Sequence, residues 1–131
     1  KAILATGDLK TLRNVYKASM VCMQAGSDFI KTSTGKEDVN ATLPVSLTMV
    51  RALRDYGTLT GYHIGFKPAG GLKTAKDAMN WLILMKEELG RRWMEPDLFR
   101  IGASSMLADI ERQLEHYLTG RYSALSHHPM A

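Results

Sequence analysis

The feature that most constrains this chain is a rhythm. Four short apolar runs begin near residues 2, 28, 63 and 99, and each is followed by a longer stretch with helical periodicity. The starts lie 26, 35 and 36 residues apart. Strand signals alternating with amphipathic helices of this length specify consecutive βα units and a parallel sheet. The runs at 2–6, 28–32, 63–67 and 98–102 are mostly apolar on both faces, as strands covered by helices require. The helical stripes are Leu12, Val15, Tyr16, Ser19, Cys22 and Met23, then Val45, Met49, Leu53 and Tyr56. Ala78, Trp81, Leu82, Met85 and Leu89 follow, and the last stripe is Leu107, Ile110, Leu114 and Tyr117. Punctuation agrees with this division. Pro44 opens the second helix, Thr74 and Asp77 spell a capping box for the third, and Ser104 or Ser105 caps the fourth. Gly26, Gly90 and Gly120 stand where helices end.

A doubly wound sheet and a (β/α)8 barrel both fit the rhythm. A complete barrel takes about 250 residues, so 131 residues in four units come close to half of one. Residues 1–120 form that α/β body, and 121–131 read as a loosely ordered tail. With 45% apolar residues the chain is not a disordered one. Its net charge of +4 is scattered rather than run together, which suits a small anionic ligand at least as well as nucleic acid. No basic stripe interleaves with aromatics, so nucleic acid is not an expected partner. No apolar run is long enough to span a membrane, and a cytoplasmic setting is the default expectation. The one cysteine, Cys22, excludes an internal disulfide and reads as core; the eight methionines read as core filling. His127 and His128 lack further ligands for a metal. Lys1 opens directly on a strand pattern, as in a chain cut from something longer.

The chemistry is concentrated in two lysines. Side chains alternate along a strand, so Phe29, Lys31 and Ser33 share one face, and His63, Gly65 and Lys67 share the corresponding face of the next run. Lysine is uncommon in strands, and an edge position in solvent is the plain explanation for either one alone. A pair at matching positions of neighbouring strands points elsewhere. Both amines then face a common interior, with Gly65 leaving room beneath and Pro68 holding Lys67 extended. Crowded ammonium groups disfavour each other's charge, so one pKa must fall from the usual value near 10.4. A neutral amine is what imine chemistry requires.

Three loops complete the pattern. Thr34, Gly35 and Lys36 follow the second run, Gly70 and Gly71 the third, and Gly102, Ser104 and Ser105 the fourth. Amides in such turns, backed by a helix amino terminus, can bind an anion; ordinary turn and cap chemistry is the alternative for any single loop. Gly35-Lys36 is not a nucleotide-binding P-loop. That motif needs an earlier glycine where Ile30 stands and a hydroxyl residue where Glu37 stands.

Three stretches together, 28–36 (DFIKTSTGK), 65–71 (GFKPAGG) and 100–105 (RIGASS), resemble the deoxyribose-phosphate aldolase family. Residues 3–9 and Asn40-Ala41-Thr42 extend the likeness along nearly the whole chain, and 118–122 (LTGRY) is similar to the animal branch. The resemblance implies a metal-free, cofactor-free class I aldolase that cleaves 2-deoxy-D-ribose 5-phosphate reversibly into acetaldehyde and D-glyceraldehyde 3-phosphate. It places this chain as units five to eight of a TIM barrel. Lys31 falls on the imine-forming lysine and Lys67 on the lysine that tunes it and assists proton transfer. Gly35, Gly70, Gly71, Ser104 and Ser105 fall in the phosphate site, with Lys36 and Lys73 lending charge, and Lys1 on a polar lysine of the active site. The family's proton-transfer aspartate belongs to an earlier strand and has no counterpart here. Bacterial members end in a tail tyrosine near the site, whereas this chain ends Pro129-Met130-Ala131, and the resemblance assigns that role neither to Tyr122 nor to another residue. A lone half-barrel exposes two sheet edges, so its partner is the other half of the barrel or a second copy. The alternative reading is a non-catalytic sugar-phosphate binding module.

Overall fold

The computed structural model describes residues 1–127. The chain runs β1 (Ala2–Ile3), α1 (Leu12–Gln24), β2 (Phe29–Lys31), α2 (Leu43–Thr60), β3 (Gly65–Lys67), α3 (Ala75–Leu89), a 3₁₀ turn (Arg91–Met94) and α4 (Met106–Thr119). The three strands are parallel, in the order β1-β2-β3. Each helix packs on the next, α1 on α2, α2 on α3 and α3 on α4. One core cluster joins Ile30 and Phe66 of the sheet to Val15, Met49, Leu53, Trp81 and Met85 of the helices. Among the described residues no helix covers the opposite face of the sheet, and Ile3 there is half exposed. Sequential parallel strands with helices on one side only form an arc of a barrel, which settles the choice against a doubly wound sheet. Among the described residues no helix is long and apolar enough to cross a membrane.

Local chemistry explains the boundaries. Thr11, Thr42 and Thr74 each stand in extended backbone and accept an amide of the first turn behind them. Thr74 and Asp77 form the expected capping box. Gly61 and Gly120 end α2 and α4 in the left-handed conformation.

Four expectations need correction. The run at 98–102 is no continuous strand; it joins β3 through two parallel bridges, Phe66–Phe99 and Ala69–Gly102. Phe66 donates to Leu98 O, Arg100 donates to Phe66 O and Gly102 donates to Pro68 O, at 2.8, 3.1 and 2.8 Å. The donor that would carry the ladder between them belongs to residue 68, and proline has none. In α4 most of the stripe expected inward is outward: Leu107, Leu114 and Tyr117 are 49%, 58% and 85% exposed, while Ile110 packs half-buried on the core and Met106 and Ala108 are buried. The helix packs on α3 through that narrow side. Ser105 stands at the N-cap of α4, but its hydroxyl makes no capping bond. His63 precedes β3, is exposed, and packs edge-on against Trp93 of the 3₁₀ turn, off the face that carries Lys67.

The tail turns back on α4. Tyr122 stacks on His116 with ring centroids 4.1 Å apart, Arg112 lies over the same ring, and Arg112 Nε donates to the carbonyl of buried Ser123. His128 and the remaining tail residues, 129–131, lie outside the described residues.

Candidate active site

Register decides where the lysines go. Ile30 pairs with Phe66 and both are fully buried against the helices, so the flanking residues must face the other way. Lys31 is the direct partner of Lys67, and Ile3 of Lys31, in one row across the inner face. Phe29 pairs with Gly65 in the row below. The space at Gly65 is not empty: a Cβ there would lie 2.4 Å from the Phe29 ring, which fills it. Two cations cover that ring, Lys1 Nζ at 5.2 Å and Arg100 Cζ at 4.9 Å from its centroid. Gly102 gives Lys67 its path, since a Cβ there would press to 3.1 Å from Lys67 Cε and 2.6 Å from Ala69 Cβ.

The inner face is strongly cationic. Desolvation holds the Lys67 amine below the usual lysine range, and the charges of Lys1, Lys31 and Arg100 push it the same way. Desolvation first, and the neighbouring charges with it, thus favour the neutral form of the Lys67 amine.

Beside the lysines lies a cleft of about 380 Å³. Lys31 enters it together with Thr34 and Gly35 from the first loop, Gly70, Gly71 and Lys73 from the second, and Gly102 and Ser104 from the third. Gly35, Gly70 and Gly71 adopt φ of +89°, +98° and +87°, a region where only glycine is unstrained. Lys36 and Ser105 are exposed and outside this lining. Lys1 and Lys67 also lie outside it, set beside Lys31 by register and by the Phe29 ring. Tyr122 is engaged on α4, where its hydroxyl reaches Gln113.

The loops are braced by two buried hydroxyls, those of Thr32 and Ser33. Buried Thr32 Oγ1 donates to Ala69 O and accepts from Ala69 N–H, both at 2.9 Å. Buried Ser33 Oγ lies 2.6 Å from Ala69 O and 2.9 Å from Asn40 Oδ1. Asn40 also packs against Gly70, where a Cβ would fall 2.5 Å from its own. Glu37 accepts from the Thr34 amide at 3.2 Å. The Thr34-x-x-Glu37 spacing was a readable signal for that contact. Asn40 carried none, because what it supports is 30 residues away. An apolar groove of about 550 Å³ lies on the outer helix layer between α2 and α3, lined by Leu43, Leu47, Ile83 and Leu84. It is remote from this chemistry.

The profile of the DeoC/LacD family aldolases matches residues 4–111. The chain belongs to this family. Bovine and human deoxyribose-phosphate aldolases are each 65% identical to it over all 131 residues. The chain spans only 41% of the length of either relative. Among solved structures, a Toxoplasma gondii ME49 protein described as a candidate deoxyribose-phosphate aldolase superposes with a TM-score of 0.72 at 23% identity. That match covers 95% of this chain and 47% of the other. An aldolase called QR15 superposes at 0.63 with 30% identity, covering 88% and 43%. The family fold is a TIM barrel, of which this chain is a part.

Proposed function

We propose that this chain carries the imine-forming half of a deoxyribose-phosphate aldolase. The observation that supports it is the pairing of Lys31 with Lys67 on the open face, with Lys31 reaching into a cleft lined by three left-handed glycines, Lys73 and Ser104. Lys31 Nζ attacks the substrate carbonyl, and the adduct loses water to give an iminium. That iminium accepts the electron pair of the breaking carbon–carbon bond, and the phosphorylated aldehyde leaves. Lys67, held toward its neutral form, takes and returns protons beside it. The amides at Gly35, Gly70 and Gly71, with Lys73, hold the phosphate. The other half of the barrel, or a second copy, closes the inner face.

A second reading has its own support, since among the described residues no carboxylate lines the cleft. On that reading the chain binds a sugar phosphate without turning it over. Borohydride reduction in the presence of 2-deoxyribose 5-phosphate, followed by peptide mass mapping, separates the two. A reduced adduct on Lys31 is expected. Protection of Lys73 from acylation with no adduct on Lys31 would establish the binder instead.

A further inference from the structure

We propose that Phe29 is a positioning residue for the amine site: its ring holds Lys1 and Arg100 on the inner face, so that three cations surround the Lys67 amine. The role in turnover rests on the aldolase reading above, while the arrangement of charges does not.

The ring is held on several sides. Phe29 precedes Lys31 by two positions and shares its face, and it pairs with Gly65, whose missing Cβ leaves the ring space to lie across β3. It is only 7% exposed, although it faces the side of the sheet that carries no helix among the described residues. What covers it is charge: Lys1 just before β1 and Arg100 from the segment beside β3, at 5.2 and 4.9 Å from the centroid. A flexible lysine or arginine on an open face would otherwise extend into water, where its charge is screened over about 8–10 Å at ordinary ionic strength. Attraction to the ring's electron-rich face restrains both cations. Arg100 is further fixed by Nε, which donates to Pro96 O at 2.9 Å.

The consequence falls on Lys67. The charged groups acting on it are Lys31 from β2, Lys1 just before β1 and Arg100 from the 98–102 segment, all of one sign, and they add to desolvation in disfavouring its proton. A pair of lysines would supply one repulsive neighbour; the aromatic platform raises the number to three. Phe29 touches neither amine's reacting atom, so it acts through the cations it places.

The test is the pH dependence of lysine modification in the full 131-residue chain. Lysines are pulse-labelled with formaldehyde and borohydride across pH 6–11, and labelling at Lys67 and Lys73 is quantified by peptide mass spectrometry. Lys67 is expected to label at lower pH than Lys73. Arg100→Gln removes one charge at a screened distance and should raise the Lys67 midpoint by about half a pH unit. Phe29→Leu releases both cations and should raise it at least as far, with Lys73 unmoved. Adding Arg100→Gln to Phe29→Leu should then shift it little further. A Lys67 profile unchanged in Phe29→Leu, with the fold verified by circular dichroism, overturns the proposal. If that variant fails to fold, an unchanged profile in both Arg100→Gln and Lys1→Met overturns it instead. Failure of the aldolase reading would appear separately, as absence of the sugar adduct on Lys31 while the Lys67 profile still responds.

Discussion

A glycine is needed at residue 70 for two reasons and at residue 71 for one. Both adopt positive φ, +98° and +87°, which costs an L-residue about 1–2 kcal/mol. Only at Gly70 does a Cβ also meet a neighbour, 2.5 Å from that of Asn40; nothing lies within 4 Å of one at Gly71. Gly71→Ala should therefore lower stability by about 1–2 kcal/mol, and Gly70→Ala by clearly more. Urea midpoints at unchanged slope measure the difference. Equal losses would show that Asn40 yields freely and does not brace the cleft. What was legible at this scale follows from distance along the chain. The parity that puts Lys31 and Lys67 on one face is a local property of alternating strands, and it read correctly. The contents of the row below did not, because Phe29, Lys1 and Arg100 are up to 99 positions apart in sequence. So Gly65 read as room when it is the seat of an aromatic ring. Alternation alone also could not say that desolvation, ahead of the neighbouring charges, lowers the basicity of Lys67.

At the scale of elements, the amino end of α3 shows what a local motif reveals and what it hides. Thr74 and Asp77 stand three apart and were readable as a cap, whereas the third acceptor is Asp109 of α4, which takes the Ala75 amide at 2.7 Å. Asp109 thereby stitches α3 to α4 where the Ser105 hydroxyl makes no cap. The fourth strand failed for a related reason: the residue that interrupts it, Pro68, lies on its neighbour. Asp77 accepts from the Lys73 and Thr74 amides, each at 2.9 Å, and these bonds hold its carboxyl below the usual aspartate range. A carboxyl whose folded pKa is depressed adds stability above its unfolded pKa, near 3.9, and loses it as pH falls through the folded value. Asp77→Ala should thus cost about 1 kcal/mol at neutral pH. The gap from the parent chain should close as the solution is acidified below about pH 4. Thermal unfolding of both chains between pH 2.5 and 7 checks this, and a pH-independent gap would rule out the carboxylate as the source.

Taken whole, the molecule is an arc with one finished surface and two unfinished ones. The rhythm of four units made the half-barrel legible, since counting units needs no knowledge of which helix meets which. Periodicity alone does not say which face of α4 is covered, and for Leu107, Leu114 and Tyr117 the expected burial is not found. Leu114, Tyr117 and Leu118 stand 58%, 80% or more exposed on α4, and Ile3 is 49% exposed on the open face of the sheet. Contiguous apolar surface beyond a few hundred Å² is rarely left in water. β1 also has a free edge, with β2 as its sole strand partner among the described residues. Hydrophobic burial and edge pairing both favour association, while the cationic inner face, with Lys1, Lys31, Lys67 and Arg100, opposes stacking two open faces together. Association should therefore run edge to edge through α4 and β1, as closure of a barrel demands, and strengthen with salt as the inner cations are screened. Sedimentation velocity should show a mass above 14.6 kDa that rises with concentration and with sodium chloride. The double variant Leu114→Lys, Tyr117→Lys should return it to the monomer with its helical circular dichroism intact. A parent chain that stays monomeric across both titrations would mean that this apolar stripe and open edge are tolerated in water, and the case for a closing partner would fall with it.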